Sequence, residues 1–265
     1  MIYAEILCIT SIHKETEQYY FMHLRFEFQG NGDITLPLKY NNLLQGIIYK
    51  TIDEKMADFL HNRGYGEGRI FKLFTFSRLI GSFNNKLKPN HIVFKSNIFL
   101  ELASPLEDFC ESFANGLFKK SLNIGGNELN VVGITIERHE IQGEFATLES
   151  LSPIVVYSTM TKSDGSKYTC YFQPGEKEFE KIATENLRKK YQALTGKRID
   201  DELTIRCESR PKLCVLDYKN TIIKGYMGKL SLNGPNPLIQ IALDAGLGSK
   251  NSQGFGCMRL AEKKY

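Results

Sequence analysis

The sequence predicts an α+β fold built from two tandem ferredoxin-like domains, one over residues 22–145 and one over residues 146–265. Segments with strand and helix patterns follow one another in the order β-α-β-β-α-β, and that order then repeats. A chain of 265 residues with 42% hydrophobic residues can form two small cores. The same unit serves many unrelated functions and includes the RNA-recognition (RRM-like) modules, so the fold alone predicts no chemistry.

The first half begins with a clear strand pattern. Met22–Phe28 alternates apolar and polar residues, as a half-buried strand does. Residues 1–21 fit the pattern poorly and are interpreted as an N-terminal extension. Ser104-Pro105-Leu106-Glu107 has the form of a capping box with proline at the first helical position, which predicts a helix start. The other predicted elements are helices beginning at Asn41 or Asn42 and at Asp53, and strands Ile70–Ser77, His91–Leu102 and Asn130–Arg138.

The second half shows the same kinds of segment. Asn236 and Pro237 predict the start of a helix, and Gly246 is placed as its C-terminal glycine. The other predicted elements are strands Pro153–Thr159, Tyr168–Phe172, Leu203–Glu208, Lys212–Leu216, Thr221–Leu232 and Gly254–Leu260, and a helix over Gly175–Leu194. That last helix mixes lysines and glutamates, a pattern typical of a solvated surface with i,i+4 ion pairs.

Composition limits the function classes. Lys plus Arg at 34 against Asp plus Glu at 30 gives a net charge of only +4, so binding of a polyanion would depend on local patches. The six cysteines are scattered without a CxxC pair, and the longest apolar runs fall well short of the roughly 18 residues of a membrane span. These features predict a cytoplasmic protein without a membrane segment. The histidines form no HExxH pair, so neither a metal nor a cofactor is predicted.

The stretch Gly246–Gly256 is the most distinctive in the chain. It contains four glycines, one lysine and three small polar residues between a predicted helix and a predicted strand. Glycines let backbone N–H groups approach a ligand closely, which suggests binding of an anion such as phosphate. The spacing matches neither the phosphate loop of nucleotide hydrolases nor the dinucleotide-binding fingerprint. The alternative is a flexible or helix-capping loop without a ligand.

Three further stretches complete a pattern. Leu44–Tyr49 reads Leu-Gln-Gly-Ile-Ile-Tyr, Lys72–Ser77 reads Lys-Leu-Phe-Thr-Phe-Ser, and Leu151–Ile154 reads Leu-Ser-Pro-Ile. With the glycine loop, whose form is GxGxxxxxGFG, they closely resemble the CRISPR-associated repeat-cleaving endoribonuclease family of the RAMP superfamily. The resemblance is collinear and covers about residues 22–261.

The resemblance implies a metal-independent endoribonuclease that cuts the repeats of a precursor CRISPR transcript into guide RNAs. In the implied reaction the ribose 2′-hydroxyl attacks the adjacent phosphate, leaving a 2′,3′-cyclic phosphate and a 5′-hydroxyl. Family members use a Tyr/His/Lys set, which matches Tyr49, His61 and Lys72. The segment 62–71 is glycine-rich and longer than in some relatives, so Tyr65 or Arg69 is a further candidate to share the work.

These residue types suit that chemistry. A histidine, with a reference pKa near ~6.5, can protonate the leaving 5′-oxygen, which makes His61 the predicted general acid. A tyrosine, with a reference pKa near ~10, is a poor base without a cationic neighbour, so Tyr49 either acts as a base beside Lys72 or orients the 2′-hydroxyl. Lys72 is also a candidate to stabilise charge on the phosphorane. Each residue also has a purely structural alternative. Tyr49 would be an aromatic at the core boundary, His61 a histidine interacting with the helix dipole, and Lys72 a solvated residue on an edge strand.

RNA binding is predicted for the glycine loop and for basic residues on second-half strands. Loop amides and Lys250 are expected to hold backbone phosphate. The predicted RNA-binding residues are Gly246, Gly248, Ser249, Lys250, Asn251, Ser252, Gly254, Phe255, Gly256, Lys224, Lys229 and Arg259.

The main rival hypothesis is a binding protein. Some relatives keep the fold and the glycine loop but lack a competent site, and they hold RNA as subunits of a ribonucleoprotein. The implied partners are therefore CRISPR repeat RNA and, as a second alternative, a multi-subunit CRISPR interference complex; a homodimer is left open. An enzyme acting on nucleotides is disfavoured by the failed loop spacings.

Overall fold

A computed structural model describes residues 22–84, 87–118 and 122–262. The predicted N-terminal extension, residues 1–21, lies outside these described residues. The described chain combines helices with antiparallel sheets, in agreement with the predicted mixture of helices and strands. No helix within those ranges is both long and apolar enough to cross a membrane.

The first half forms a five-stranded sheet packed on helices. In chain order its elements are β1 (Met22–Gly30), β2 (Ile34–Pro37), α1 (Asn41–Thr51), α2 (Glu54–Asn62), β3 (Thr75–Phe76), β4 (Phe83–Asn84), β5 (His91–Phe94), β6 (Asn97–Ser104), α3 (Glu107–Phe118), β7 (Leu122–Ile124) and β8 (Asn127–Glu137). The sheet order is β3-β6-β1-β8-β7, and β2, β5 and β4 form a separate small sheet. Every second residue of β1 is buried, so Leu24, Phe26 and Phe28 face the core under α1 and α3.

The second half repeats this arrangement with four strands. Its elements are β9 (Phe145–Ser150), β10 (Tyr157–Thr161), β11 (Lys167–Tyr171), α4 (Lys177–Thr195), β12 (Thr204–Cys207), β13 (Lys212–Tyr218), β14 (Thr221–Met227), β15 (Lys229–Asn233), α5 (Asn236–Asp244), a short 3₁₀ helix (Asn251–Gln253) and β16 (Met258–Leu260). The main sheet has the order β12-β15-β9-β16, while β10–β11 and β13–β14 are separate hairpins. In each half, therefore, the opening strand lies between the strand that precedes the last α-helix and the last strand.

Some predicted boundaries were wrong. The strand that opens the second sheet is β9, not Pro153–Thr159. Residues 153–156 instead lie between β14 and the glycine loop, because Ile154 forms a β-bridge with Tyr226 and Val155 forms one with Gly248. They are buried but are not part of the main sheet. β9 escaped detection because its inward positions include Ala146 and Ser150, which give a weak apolar alternation.

Other strands are shorter than predicted or divided. Only Thr75 and Phe76 of the predicted strand Ile70–Ser77 pair in a sheet. The predicted strand His91–Leu102 divides into β5 and β6, which belong to different sheets. Of Gly254–Leu260 only β16 is a strand, because the preceding residues complete the glycine loop.

Candidate active site

The structure brings Tyr49, His61 and Lys72 together. Tyr49 lies on α1 and His61 in the last turn of α2, and their ring centroids are 6.5 Å apart in an edge-on arrangement. The Lys72 Nζ donates to the backbone carbonyl of His61 at 3.3 Å. Two consecutive helices and the segment that follows them therefore bring these three residues into proximity.

Local sequence fixes these positions. The side chain of Asp53 accepts hydrogen bonds from two first-turn amides of α2, which caps the helix and sets the direction in which it carries His61. Leu44 and Ile48 anchor α1 in the core, and Tyr49, one position further on, is half-buried with its ring 5.9 Å from that of Phe74. His61 itself is exposed, so its imidazole is open to a ligand.

The protonation of Tyr49 bears on its role. Burial, together with a smaller contribution from the neighbouring Tyr218, raises the pKa of Tyr49 to about 12. Burial also lowers the pKa of Lys72 from its ordinary value. Because no cation lowers the pKa of Tyr49, its phenol keeps its proton at neutral pH.

The glycine loop is a tightly packed element between the two halves. Its centre is the 3₁₀ helix, flanked by Lys250 and Gly254 with φ angles of 65° and 82°. The amides of Leu247, Ser249 and Gly256 donate to the carbonyls of Gly256, Val155 and Pro153 at 2.7–2.9 Å. The Gly254 amide donates to the Asn251 carbonyl. The backbone amides of Gly254 and Gly256 are therefore already hydrogen-bonded within the protein. They stabilise the loop itself and do not form the predicted phosphate cradle.

Packing explains why glycine stands at the end of the loop. A Cβ on Gly256 would lie 2.0 Å from the Leu247 carbonyl oxygen, and φ there is +65°. A Cβ on Gly254 would lie 2.5 Å from the Phe76 ring. Both residues thus combine a left-handed backbone with close approach, which only glycine allows.

Side chains that the sequence reasoning missed bind the loop carbonyls. Asn41, predicted as a helix cap, makes no cap and instead donates to the carbonyls of Gln253 and Gly254, each at 3.1 Å. Gln45 donates to the carbonyl of Ser252 at 2.8 Å. Gln45 precedes Tyr49 by one helical turn, so α1 connects the loop directly to the tyrosine.

Lys190 is the largest departure from the sequence reading. The mixed charges of α4 predict a solvated surface, but Lys190 is 2% exposed and its ammonium donates to the carbonyls of Gly246 and Gly248 at 2.6 and 3.0 Å. A signal was present, because Lys190 continues the apolar spacing of Ala183 and Leu187 on α4.

The other predicted RNA-binding residues divide into two groups. Ser249, Lys250 and Ser252 border the cavity described below, whereas the Phe255 ring is fully buried 6.5 Å from that of Tyr218 and has a packing role. The side-chain amide of Asn251 donates to the backbone carbonyls of Leu247 and Phe255, inside the loop.

The three predicted basic residues on second-half strands have other surroundings. Lys224 is exposed on β14, and Lys229 and Arg259 both lie opposite Glu149 in the second sheet. Arg259 forms an ion pair with Glu149 at 2.9 Å, which offsets its charge. Within the described residues, no side-chain hydrogen bond or ion pair joins these three residues to the glycine loop.

A cavity of about 230 Å³ joins the loop to the first half. Lys72 and Arg69 line one side, and residues 249–253 line the other. The predicted catalytic lysine and the glycine loop therefore face one space. In the ranges that the structure describes, no cluster of three or more His, Cys, Asp or Glu residues is placed to hold a metal ion.

Comparison with models of known protein families identifies the family to which this chain belongs. Residues 35–135 match the family model described as "CRISPR-associated protein Cas6, N-terminal", and residues 136–260 match "CRISPR associated protein Cas6, C-terminal". The chain belongs to the Cas6 family. The two Cas6 models meet between residues 135 and 136, ahead of β9.

Individual Cas6 proteins resemble the chain over nearly its whole length. The "CRISPR-associated endoribonuclease Cas6 1" of Methanocaldococcus jannaschii is 28% identical over 249 residues, covering 92% of this chain and 94% of the relative. The "CRISPR-associated endoribonuclease Cas6" of Pyrococcus furiosus is 26% identical over 242 residues, covering 86% and 85%. A solved structure titled "CRISPR associated protein Cas6" has a TM-score of 0.75 at 25% identity, covering 91% of this chain and 100% of its own.

Proposed function

We propose that this protein is an endoribonuclease that cleaves CRISPR repeat RNA in precursor transcripts to give guide RNAs. The supporting observation is the grouping of Tyr49, His61 and Lys72, of which Lys72 also lines the cavity that the glycine loop borders. Membership in the Cas6 family and the names of the two relatives, both endoribonucleases, agree with this activity.

The proposed reaction is a transesterification without a metal ion. The ribose 2′-oxygen attacks the adjacent phosphorus and gives its proton to solvent water. The bond from phosphorus to the 5′-oxygen breaks, and a 2′,3′-cyclic phosphate and a 5′-hydroxyl form. His61 gives a proton to the departing 5′-oxygen, and Lys72 stabilises negative charge on the phosphorane. Tyr49, protonated at neutral pH, orients the 2′-hydroxyl through its own hydroxyl group and is not the base.

The orienting role of Tyr49 predicts a modest defect. Replacing it by phenylalanine removes one hydrogen bond, worth about 0.5–1.5 kcal/mol, so single-turnover cleavage should slow by about tenfold or less. Because a pKa of about 12 keeps the phenol protonated, the ratio of wild-type to variant rate should stay constant from about pH 6 to pH 9. A loss above about 100-fold, or a ratio that grows with pH, would instead identify Tyr49 as the base.

Cleavage itself is tested with labelled repeat RNA in the presence of a chelator. We expect one cut, with a cyclic phosphate on the upstream product, and no cut in a repeat carrying a single 2′-deoxy substitution at the cleavage position. Binding without a cut in either RNA would support the second candidate, an inactive repeat-binding subunit. Loss of cleavage in the chelator alone would contradict the metal-independent mechanism.

Several finer assignments belong to the same proposal. We infer that both halves are versions of the ferredoxin-like, RRM-like unit, with domains over residues 22–145 and 146–265, because each sheet places its opening strand between the same two partners. Residues 1–21 stay assigned to an extension. Assembly into a multi-subunit CRISPR complex, homodimer formation and a cytoplasmic location stay predictions.

A further inference from the structure

The cavity beside Lys72 has an unusual charge. Four cationic side chains line it, from Arg69, Lys72, Lys190 and Lys250, and its lining contains no aspartate or glutamate. None of the four takes part in an ion pair within the described ranges. Lys190 is held by carbonyls of the glycine loop, but the charges of Arg69, Lys72 and Lys250 have no acidic partner in the cavity, which favours binding of an anion from the substrate. We refer to this space as the basic cavity.

Arg69 is held in place over the basic cavity. Its Nη2 donates to the Ser249 Oγ at 2.9 Å, and its guanidinium carbon lies 5.5 Å from the centre of the Phe71 ring. The segment that carries it is closed by two reciprocal backbone hydrogen bonds between Tyr65 and Phe71, both 2.8 Å. The guanidinium is therefore positioned before any ligand arrives, and its remaining N–H groups are suited to the oxygens of a phosphate.

The floor of the basic cavity is polar as well as charged. Lys190 is buried there, and burial, with the nearby charge of Arg69, lowers its pKa well below the ordinary value. Asn186, one turn earlier on α4, is 2% exposed and also lines the basic cavity. Both polar atoms of its amide lack a hydrogen-bond partner among the described residues. Buried amides are normally satisfied, so this side chain marks a place where a polar ligand group or its water is bound.

We propose that the basic cavity is a phosphate subsite in which Arg69 and Lys250 bind the RNA backbone phosphate adjacent to the scissile linkage. Lys72 lines the same space and contacts His61, which places this subsite next to the reacting phosphate. Ser249 contributes by holding Arg69, and Lys190 and Asn186 supply the polar floor. The proposal rests on the proposed function, because the anion is a phosphate of the substrate RNA.

The test measures binding of a repeat RNA made uncleavable by a 2′-deoxy substitution. Arg69→Ala should weaken binding by about tenfold or more and reduce the slope of log K against log salt by about 0.7, the loss of one single-strand phosphate contact. Arg69→Lys, which keeps the charge, should keep the slope. Lys95→Ala serves as the matched control, because Lys95 pairs with Asp33 at 3.1 Å and does not line the basic cavity; it should change neither quantity.

The outcomes separate this proposal from the proposed function. An unchanged affinity and salt slope for Arg69→Ala, in a variant whose thermal unfolding matches that of wild type, would overturn the subsite. A lower affinity with an unchanged slope would also overturn it, since Arg69 would then act only by holding Ser249 and the loop. Wild-type protein that binds repeat RNA but never cuts it would refute the proposed activity, while the salt slope would still decide the subsite.

Discussion

Cleavage of repeat RNA by the His61→Ala variant is expected to be about 10²–10⁴-fold slower than by wild type in single-turnover assays, the usual effect of losing a general acid. His61 is exposed at the end of α2, and its backbone carbonyl contacts Lys72 without involving the imidazole. The substitution should therefore leave the fold and RNA affinity nearly unchanged. Affinity for the 2′-deoxy repeat, measured in parallel, checks the second part of this expectation.

A modified leaving group distinguishes an acid from a structural histidine. If the 5′-oxygen at the cleavage site is replaced by sulfur, the departing thiolate needs no protonation, since a thiol has a reference pKa near ~8.5. His61→Ala should then cleave at nearly the wild-type rate, whereas Lys72→Ala should stay slow because its charge acts on the phosphorane. His91→Ala, which alters a histidine whose imidazole is hydrogen-bonded to the local Pro89 carbonyl, should be normal on both substrates. A defect of His61→Ala that persists with sulfur would contradict the acid role.

The sequence predicted the proximity of Tyr49, His61 and Lys72 because these residues lie in consecutive segments of the chain. Asp53 caps α2, the apolar face of α1 buries Leu44 and Ile48, and these local rules suffice to bring Tyr49 near His61. The match of short motifs to a known family then selected these residues from other aromatic and charged positions. Local signals of this kind depend little on the rest of the fold.

The interior of the site could not be predicted in the same way. Lys190 contacts Gly246, 56 residues further along the chain, and Asn41 contacts Gln253 across 212 residues. No local pattern specifies such partners, and a lysine among glutamates normally indicates a solvated surface. The glycine loop is a second example. Its local sequence predicts a phosphate cradle, whereas in the structure its glycines allow close packing between the two halves, which depends on distant partners.

Packing of the glycine loop predicts a large loss of stability for Gly256→Ala. The left-handed backbone costs a non-glycine residue about 1–2 kcal/mol, and the clash of the new Cβ with the Leu247 carbonyl adds to this. That carbonyl cannot move freely, because it accepts a hydrogen bond from the Asn251 side-chain amide at 3.3 Å, and the Leu247 N–H in turn donates to the Gly256 carbonyl at 2.8 Å. We expect the free energy of unfolding to fall by about 3 kcal/mol or more, measured by urea denaturation.

Gly143→Ala is the matched control for this effect. Its φ of +79° carries the same backbone strain, but a Cβ there would meet no atom within 4 Å. It should therefore lose only about 1–2 kcal/mol, and the difference between the two variants isolates the clash inside the loop. Equal losses would mean that the loop relaxes easily around Gly256. A loop that relaxes so easily could not hold Ser249 and Arg69 at fixed positions over the basic cavity. The packing of Gly256 and the proposed binding of RNA phosphate therefore depend on the same rigidity of the loop.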